Sequence, residues 1–96
     1  MKYKTGKNIE TSMSCLQGYV KTTYANIVTF LGDPQKSGDK VNAEWVIKFE
    51  NGRVATIYDW KEPSIPKDEY EWHIGGYGDS VVALVGDLLN AEAYTR

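Results

Sequence analysis

The sequence predicts a two-layer α+β domain: a three- to four-stranded antiparallel sheet around a central hairpin, with two helices packed on one face. Three observations carry this. Asn51-Gly52 separates two flanks rich in β-branched and aromatic residues within Asn42–Trp60, the strongest short hairpin signal. Tyr24, Ile27, Val28 and Leu31 recur at i, i+3, i+4 and i+7, the stripe of an amphipathic helix. Val81, Leu84, Val85 and Leu88 repeat that spacing near the end of the chain, widened by Val82 and Leu89.

Taken in order, residues 1–10 are polar, with Lys2, Lys4 and Lys7 ahead of the first acid, Glu10. They read as a flexible tail before a single domain over residues 11–96. In Thr11–Val20, Met13 and Cys15 alternate with serines, as in a short edge strand, and Gly18 interrupts it. Thr22 or Thr23 supplies the N-cap of the first helix. Gly32 stands at its C′ position and Pro34 blocks continuation. Asp33-Pro34 and Ser37-Gly38 then form a turn-rich loop into the hairpin.

A two-residue type I′ turn at Asn51-Gly52 pairs Glu50 with Arg53 and sets the faces. Phe49–Val54, Ile47–Thr56, Trp45–Tyr58 and Ala43–Trp60 then share the core side. Lys48–Ala55, Val46–Ile57 and Glu44–Asp59 share the outer side. The last pair sets two carboxylates opposite each other, an arrangement that needs a cation or a proton. Lys61–Glu69 holds two prolines and no periodicity, a surface connection with Ile65 exposed. A third strand over Glu69–Ile74 places Trp72 and Ile74 in the core and Glu71 and His73 outward. Gly75-Gly76-Tyr77-Gly78 leads to Asp79 or Ser80 as N-cap of the second helix, which runs to about Glu92. Gly86 inside that helix costs about 1 kcal/mol relative to Ala, which suits a close approach of neighbouring structure.

Composition narrows the function classes. The chain has 96 residues, a net charge of −2, 42% hydrophobic and 12% aromatic residues, one cysteine (Cys15) and one histidine (His73). That charge suits neither a general nucleic-acid binder nor a DNA mimic. One Cys and one His form no internal disulfide and no Cys/His zinc site, so neither metal nor cofactor is expected. The first residues hold no apolar signal core, and no run is long enough to span a membrane, which implies a cytoplasmic protein.

Three constellations are candidates for function. The outer face gathers Glu44, Asp59, His73 and Glu71, with Lys40, Lys48 and Lys61 near in sequence to compensate them. Such a set either forms a solvated face, a ligand or partner site, or an acid–base pair. Gly75, Gly76, Tyr77, Gly78 and Ser80 make a glycine-rich turn at a helix N-terminus, where free N–H groups favour anions. Its spacing matches no phosphate-loop fingerprint, and Asp79 would repel a phosphate. Val46 and Ile57 form an outward apolar pair that would suit a homodimer.

Six blocks in order, Leu-Gln-Gly-Tyr-Val (16–20), Thr-Tyr (23–24), Leu-Gly-Asp-Pro (31–34), Asp-Lys-Val-Asn-Ala-Glu-Trp (39–45), Ala-Thr-Ile-Tyr-Asp-Trp-Lys (55–61) and Trp-His-Ile-Gly-Gly (72–76), resemble a family of small tailed-bacteriophage proteins. The resemblance covers about residues 11–90. It implies a phage product acting in the host bacterial cytoplasm, and it carries over no catalytic or binding residues. The leading expectation is a non-enzymatic, anti-defence or host-takeover protein that binds and inhibits a host protein. The alternatives are a binder of a small nucleotide signal and a small hydrolase built on Glu44, Asp59 and His73.

Overall fold

The structure, a computed structural model, describes residues 2–6 and 9–96. Its elements are β1 (Tyr3–Thr5), β2 (Cys15–Thr22), α1 (Tyr24–Leu31), β3 (Glu44–Phe49), β4 (Val54–Tyr58), β5 (Tyr70–Gly76), α2 (Ser80–Leu89) and β6 (Glu92–Thr95). Among the described residues the strands form one antiparallel sheet in the order β1-β3-β4-β5-β2-β6. The α+β class is as predicted; six strands replace the expected three to four. Among the described residues no helix is long and apolar enough to cross a membrane.

Helix α1 follows its sequence signals. Thr23 accepts a hydrogen bond from the Asn26 N–H at 3.1 Å, and Gly32 ends the helix at φ +79° with its N–H donating to the Val28 carbonyl. Ile27 and Leu31 are buried, with Tyr24 and Val28 packed beside them. Helix α2 stops at Leu89, short of Glu92, because Asn90 adopts a left-handed conformation at φ +51°. The chain then turns into β6, which passes so close to α2 that a Cβ on Gly86 would lie 3.0 Å from the Ala93 Cβ. Both helices pack on a core floored by Val20, Trp45, Ile47, Ile57, Trp72 and Ile74.

Two strands exceed their sequence signals. Cys15–Thr22 is no edge: it lies between β5 and β6. Gly18 continues it because a side chain there would collide with the Tyr94 carbonyl of β6 and with Val82. On its other side, the pairing of β2 with β5 carries a register shift between Leu16 and Gly18. Tyr3–Thr5, read within the polar tail, pair with β3, and the Tyr3 hydroxyl donates to the Phe30 carbonyl at 2.8 Å. The tail expectation also falls on Met1, Lys7 and Asn8, which lie outside the described residues.

The hairpin register differs by one residue from the prediction. The Phe49 N–H donates to the Arg53 carbonyl at 2.8 Å and the Gly52 N–H to the Phe49 carbonyl at 2.9 Å. The loop therefore holds three residues, Glu50, Asn51 and Gly52, with the left-handed step at Gly52 alone (φ +87°). This is a type I turn with a glycine bulge, not a type I′ turn, and Asn-Gly serves both. Val46 faces Thr56, Ile47 faces Ala55, Trp45 faces Ile57 and Glu44 faces Tyr58. Strand β3 keeps its predicted faces, whereas every residue of β4 is reversed, as a one-residue slip requires. Ala55, Ile57 and Asp59 turn to the core side, and Val54, Thr56, Tyr58 and Trp60 to the outer side. The expected Val46–Ile57 outer pair is thereby separated: Ile57 is in the core.

Candidate functional site

The reversed strand decides which predicted residues meet. Asp59 lies on the core side and is fully buried. Its Oδ1 accepts the N–H groups of Asn42 (2.8 Å) and Ala43 (3.0 Å), and its Oδ2 accepts the Asn42 side-chain amide at 2.9 Å. The same amide donates to the Glu62 carbonyl at 2.8 Å. Asp59 thus ties the open end of the hairpin to the loop that follows, a structural role that satisfies a buried charge. It does not face Glu44. Glu44 and His73 share the outer face but flank Tyr58, which pairs with both. Glu44, Asp59 and His73 therefore do not converge as an acid–base group, and among the described residues no cluster of three metal-ligating side chains forms.

The glycine-rich candidate is also rearranged. Gly75 and Gly76 are not in a turn: they end β5 and are buried in the sheet. A Cβ at Gly75 would lie 2.5 Å from Thr56 Oγ1, and one at Gly76 2.9 Å from a Val81 methyl. They allow close approach between neighbours, not a phosphate cradle. Tyr77 is exposed, and its hydroxyl donates to the Ser12 carbonyl at 2.8 Å, tying down the segment before β2. Gly78 and Ser80 flank Asp79 at the start of α2, where the Asp79 side chain makes no capping bond.

What the outer face does assemble is a row of rings. Side chains opposite each other across β6, β2, β5 and β4 are Tyr94, Tyr19, His73 and Tyr58. Tyr19 meets His73 edge-on at 5.1 Å between centroids, Tyr58 lies at 5.3 Å tilted by 30°, and Tyr94 lies 5.7 Å from Tyr19. Trp60 closes the row, 6.4 Å from Tyr58 and 6.5 Å from His73. The His73 Nδ1 is buried with no hydrogen-bond partner among the described residues. Burial pushes the imidazole pKa below its usual value, against the opposing pull of the Asp59 and Glu62 charges. His73 is consequently a neutral ring at pH 7, one more member of an aromatic platform.

Beside this row lies a cavity of about 210 Å³, floored by Thr56 and Gly75 and bordered by Cys15, Val41, Glu44, Tyr58 and Trp60. Burial, and then the Glu44 charge, raise the Tyr58 hydroxyl above the ordinary phenol range, so it stays a neutral donor. Two cations flank Trp60: Lys40 Nζ and Lys61 Nζ each stand 5.8 Å from the indole centroid. They are held together because the Lys61 N–H donates to the Lys40 carbonyl at 2.8 Å. Lys61 adopts a left-handed backbone at φ +58°, uncommon for a residue with a side chain.

Of the residues singled out in sequence, Glu44, Lys61, His73 and Gly75 border this platform or its cavity. Lys40, read as a charge compensating the outer-face acids, stands there too, whereas Tyr19, Thr56, Tyr58, Trp60 and Tyr94 were not anticipated. The missed signal was the alternation of Thr56, Tyr58 and Trp60, which a three-residue loop at Asn51-Gly52 would have placed beside His73. Comparison with protein-family models, with curated proteins and with solved structures finds no match to this chain.

Proposed function

We propose that this chain is a non-enzymatic binding protein whose bare aromatic sheet face holds a small nucleotide by its base. The observation that carries the reading is Trp60: a half-exposed indole on the rim of the cavity, with Tyr58 beside it and two lysines flanking it. Stacking on such a ring is worth about 1–3 kcal/mol per base and needs no sequence-specific partner. Two lysines suit the few charges of one small phosphorylated ligand. A net charge of −2 does not suit a long polyphosphate backbone. The nucleotide reading thus moves from Gly75–Ser80 to the outer face. Together with the resemblance to phage proteins, it describes a product that sequesters a host nucleotide signal in the bacterial cytoplasm.

The test uses the chain's own fluorescence. Trp45 and Trp72 are buried at 3% and 0% exposure, whereas Trp60 is 39% exposed. Titration with guanosine and adenosine 5′-monophosphates and with cyclic dinucleotides should quench the Trp60 share of the emission in a saturable way. The Trp60→Ala variant should melt as the parent does and show no saturable change. Absence of quenching by every nucleotide in the panel rejects the reading.

A second reading keeps the same face but gives it to a host protein. It is favoured by β6, an edge strand carrying Tyr94 at 39% exposure, because aromatic side chains dominate protein interfaces. Native mass spectrometry of the protein recovered from bacterial lysate separates the two. An added mass of a few hundred daltons supports the nucleotide, and one of tens of kilodaltons supports the protein.

A further inference from the structure

We infer that the cavity beside Trp60 selects guanine, with Glu44 as the residue that reads the base; this rests on the nucleotide reading above. Among the described residues that line the cavity, Glu44 is the only carboxylate. It is fixed in place from both sides. Across the sheet it faces Tyr58, and on its free edge its backbone exchanges two hydrogen bonds with Gln35, of 2.8 and 2.9 Å. The Gln35 amide reaches Glu44 Oε1 at 3.4 Å, a long contact that leaves the carboxylate with acceptor capacity.

The charges give the site a polarity. A carboxylate repels phosphate, and the two lysines around Trp60 attract it. A nucleotide stacked on the indole therefore points its base edge at Glu44 and its phosphate toward Lys40 and Lys61. Glu44 can only accept hydrogen bonds, so the edge it faces must donate. Guanine offers adjacent N1–H and N2–H₂ donors, which match the two carboxylate oxygens as a bidentate pair. Adenine and cytosine each set one amino group beside a ring acceptor, which the carboxylate repels. Uracil offers one N–H between two carbonyls. A site built for two donors discriminates against a base that lacks them, because its half-buried acceptor is left unpaired.

The experiment measures Trp60 quenching by guanosine, inosine, adenosine and 1-methylguanosine 5′-monophosphates. On the unaltered protein, guanosine should bind at least about tenfold more tightly than inosine, which lacks the amino group, or 1-methylguanosine, which lacks N1–H. Adenosine should be weaker still. In Glu44→Gln, one acceptor becomes a donor that opposes N1–H or N2–H₂, and the preference for guanosine over adenosine should collapse. Equal binding of guanosine and adenosine to the unaltered protein overturns the inference and leaves the nucleotide reading standing. So does a preference that survives in Glu44→Gln. Failure of all four nucleotides to bind overturns the inference, and the nucleotide reading falls with it when the cyclic dinucleotides fail as well.

Discussion

The two faces of this sheet are made by the same strands and meet different fates. On one, Trp45, Ile47, Ile57, Trp72 and Ile74 lie under two helices. On the other, Tyr19, Tyr58, Trp60 and His73 lie side by side with no helix over them. Both are aromatic, so hydrophobicity alone does not tell them apart. The difference is in polar handles. The covered face satisfies its few: Trp72 Nε1 donates to the Thr22 carbonyl at 3.1 Å, and Trp45 Nε1 to the Gly32 carbonyl at 2.8 Å. The bare face keeps a carboxylate, two lysines and a histidine nitrogen in reach of its rings. A packed layer needs closed accounts of hydrogen bonds, and a binding layer needs open ones.

That contrast can be broken most forcefully from the covered side. Trp72→Ala should cost about 4 kcal/mol, through a large cavity and the loss of the Nε1 hydrogen bond to the Thr22 carbonyl. Urea denaturation reads this directly, and a loss under about 1 kcal/mol would show that Trp72 is not central to the core. Asp59→Ala should cost about 3 kcal/mol, since two backbone N–H groups and one amide lose a charged acceptor. If the hairpin were held by its turn alone, that variant would melt like the parent.

Gly52→Ala sharpens the comparison, because Gly52 decides which side of β4 joins which face. No atom lies within 4 Å of where a Cβ would sit, so the cost is conformational only, about 1 kcal/mol for a residue at φ +87°. The smallest effect is a pH dependence from the bare face. Because burial lowers the His73 pKa, the unfolded chain binds the proton more readily than the folded one. Stability is therefore full above the ordinary imidazole value of 6.5 and declines as pH falls below it toward the depressed folded value. The melting temperature should fall between pH 7.5 and 5.5, and His73→Phe, which keeps a ring without a proton, should remove that part of the slope.

These comparisons also show how much could be read from sequence. Helix α1 was legible to within one residue at its start, left between Thr22 and Thr23, and to its end at Leu31, because the cap, the stripe and Gly32 are local signals that agree. The inward sides of β3 and β5 were legible from period-two alternation. Strand β4 was not, because Asn51-Gly52 fits two turns that differ by one residue, and one residue reverses a strand. With β4 went the site: Tyr58 and Trp60 were assigned to the core, and Asp59 to the surface. Gly18 read as a breaker because its reason to be glycine, the carbonyl of Tyr94, lies far along the chain. Strand β6 is four residues long and carries no pattern strong enough to stand alone.

The position of β2 has a consequence for how the molecule is made. Its two neighbours in the sheet are β5 and β6, which are both late in the chain. A nascent chain that extends to residue 69 contains α1 and both arms of the β3–β4 hairpin, yet β2 still has neither of its partners. The early product is a hairpin with an unpaired strand, and closure awaits β5 and β6. Such long-range pairing slows folding, to the millisecond-to-second range common for sheets of this kind. In pulse-labelled hydrogen exchange during refolding, the amides of β3 and β4 should gain protection first, and those of β2 only together with β6.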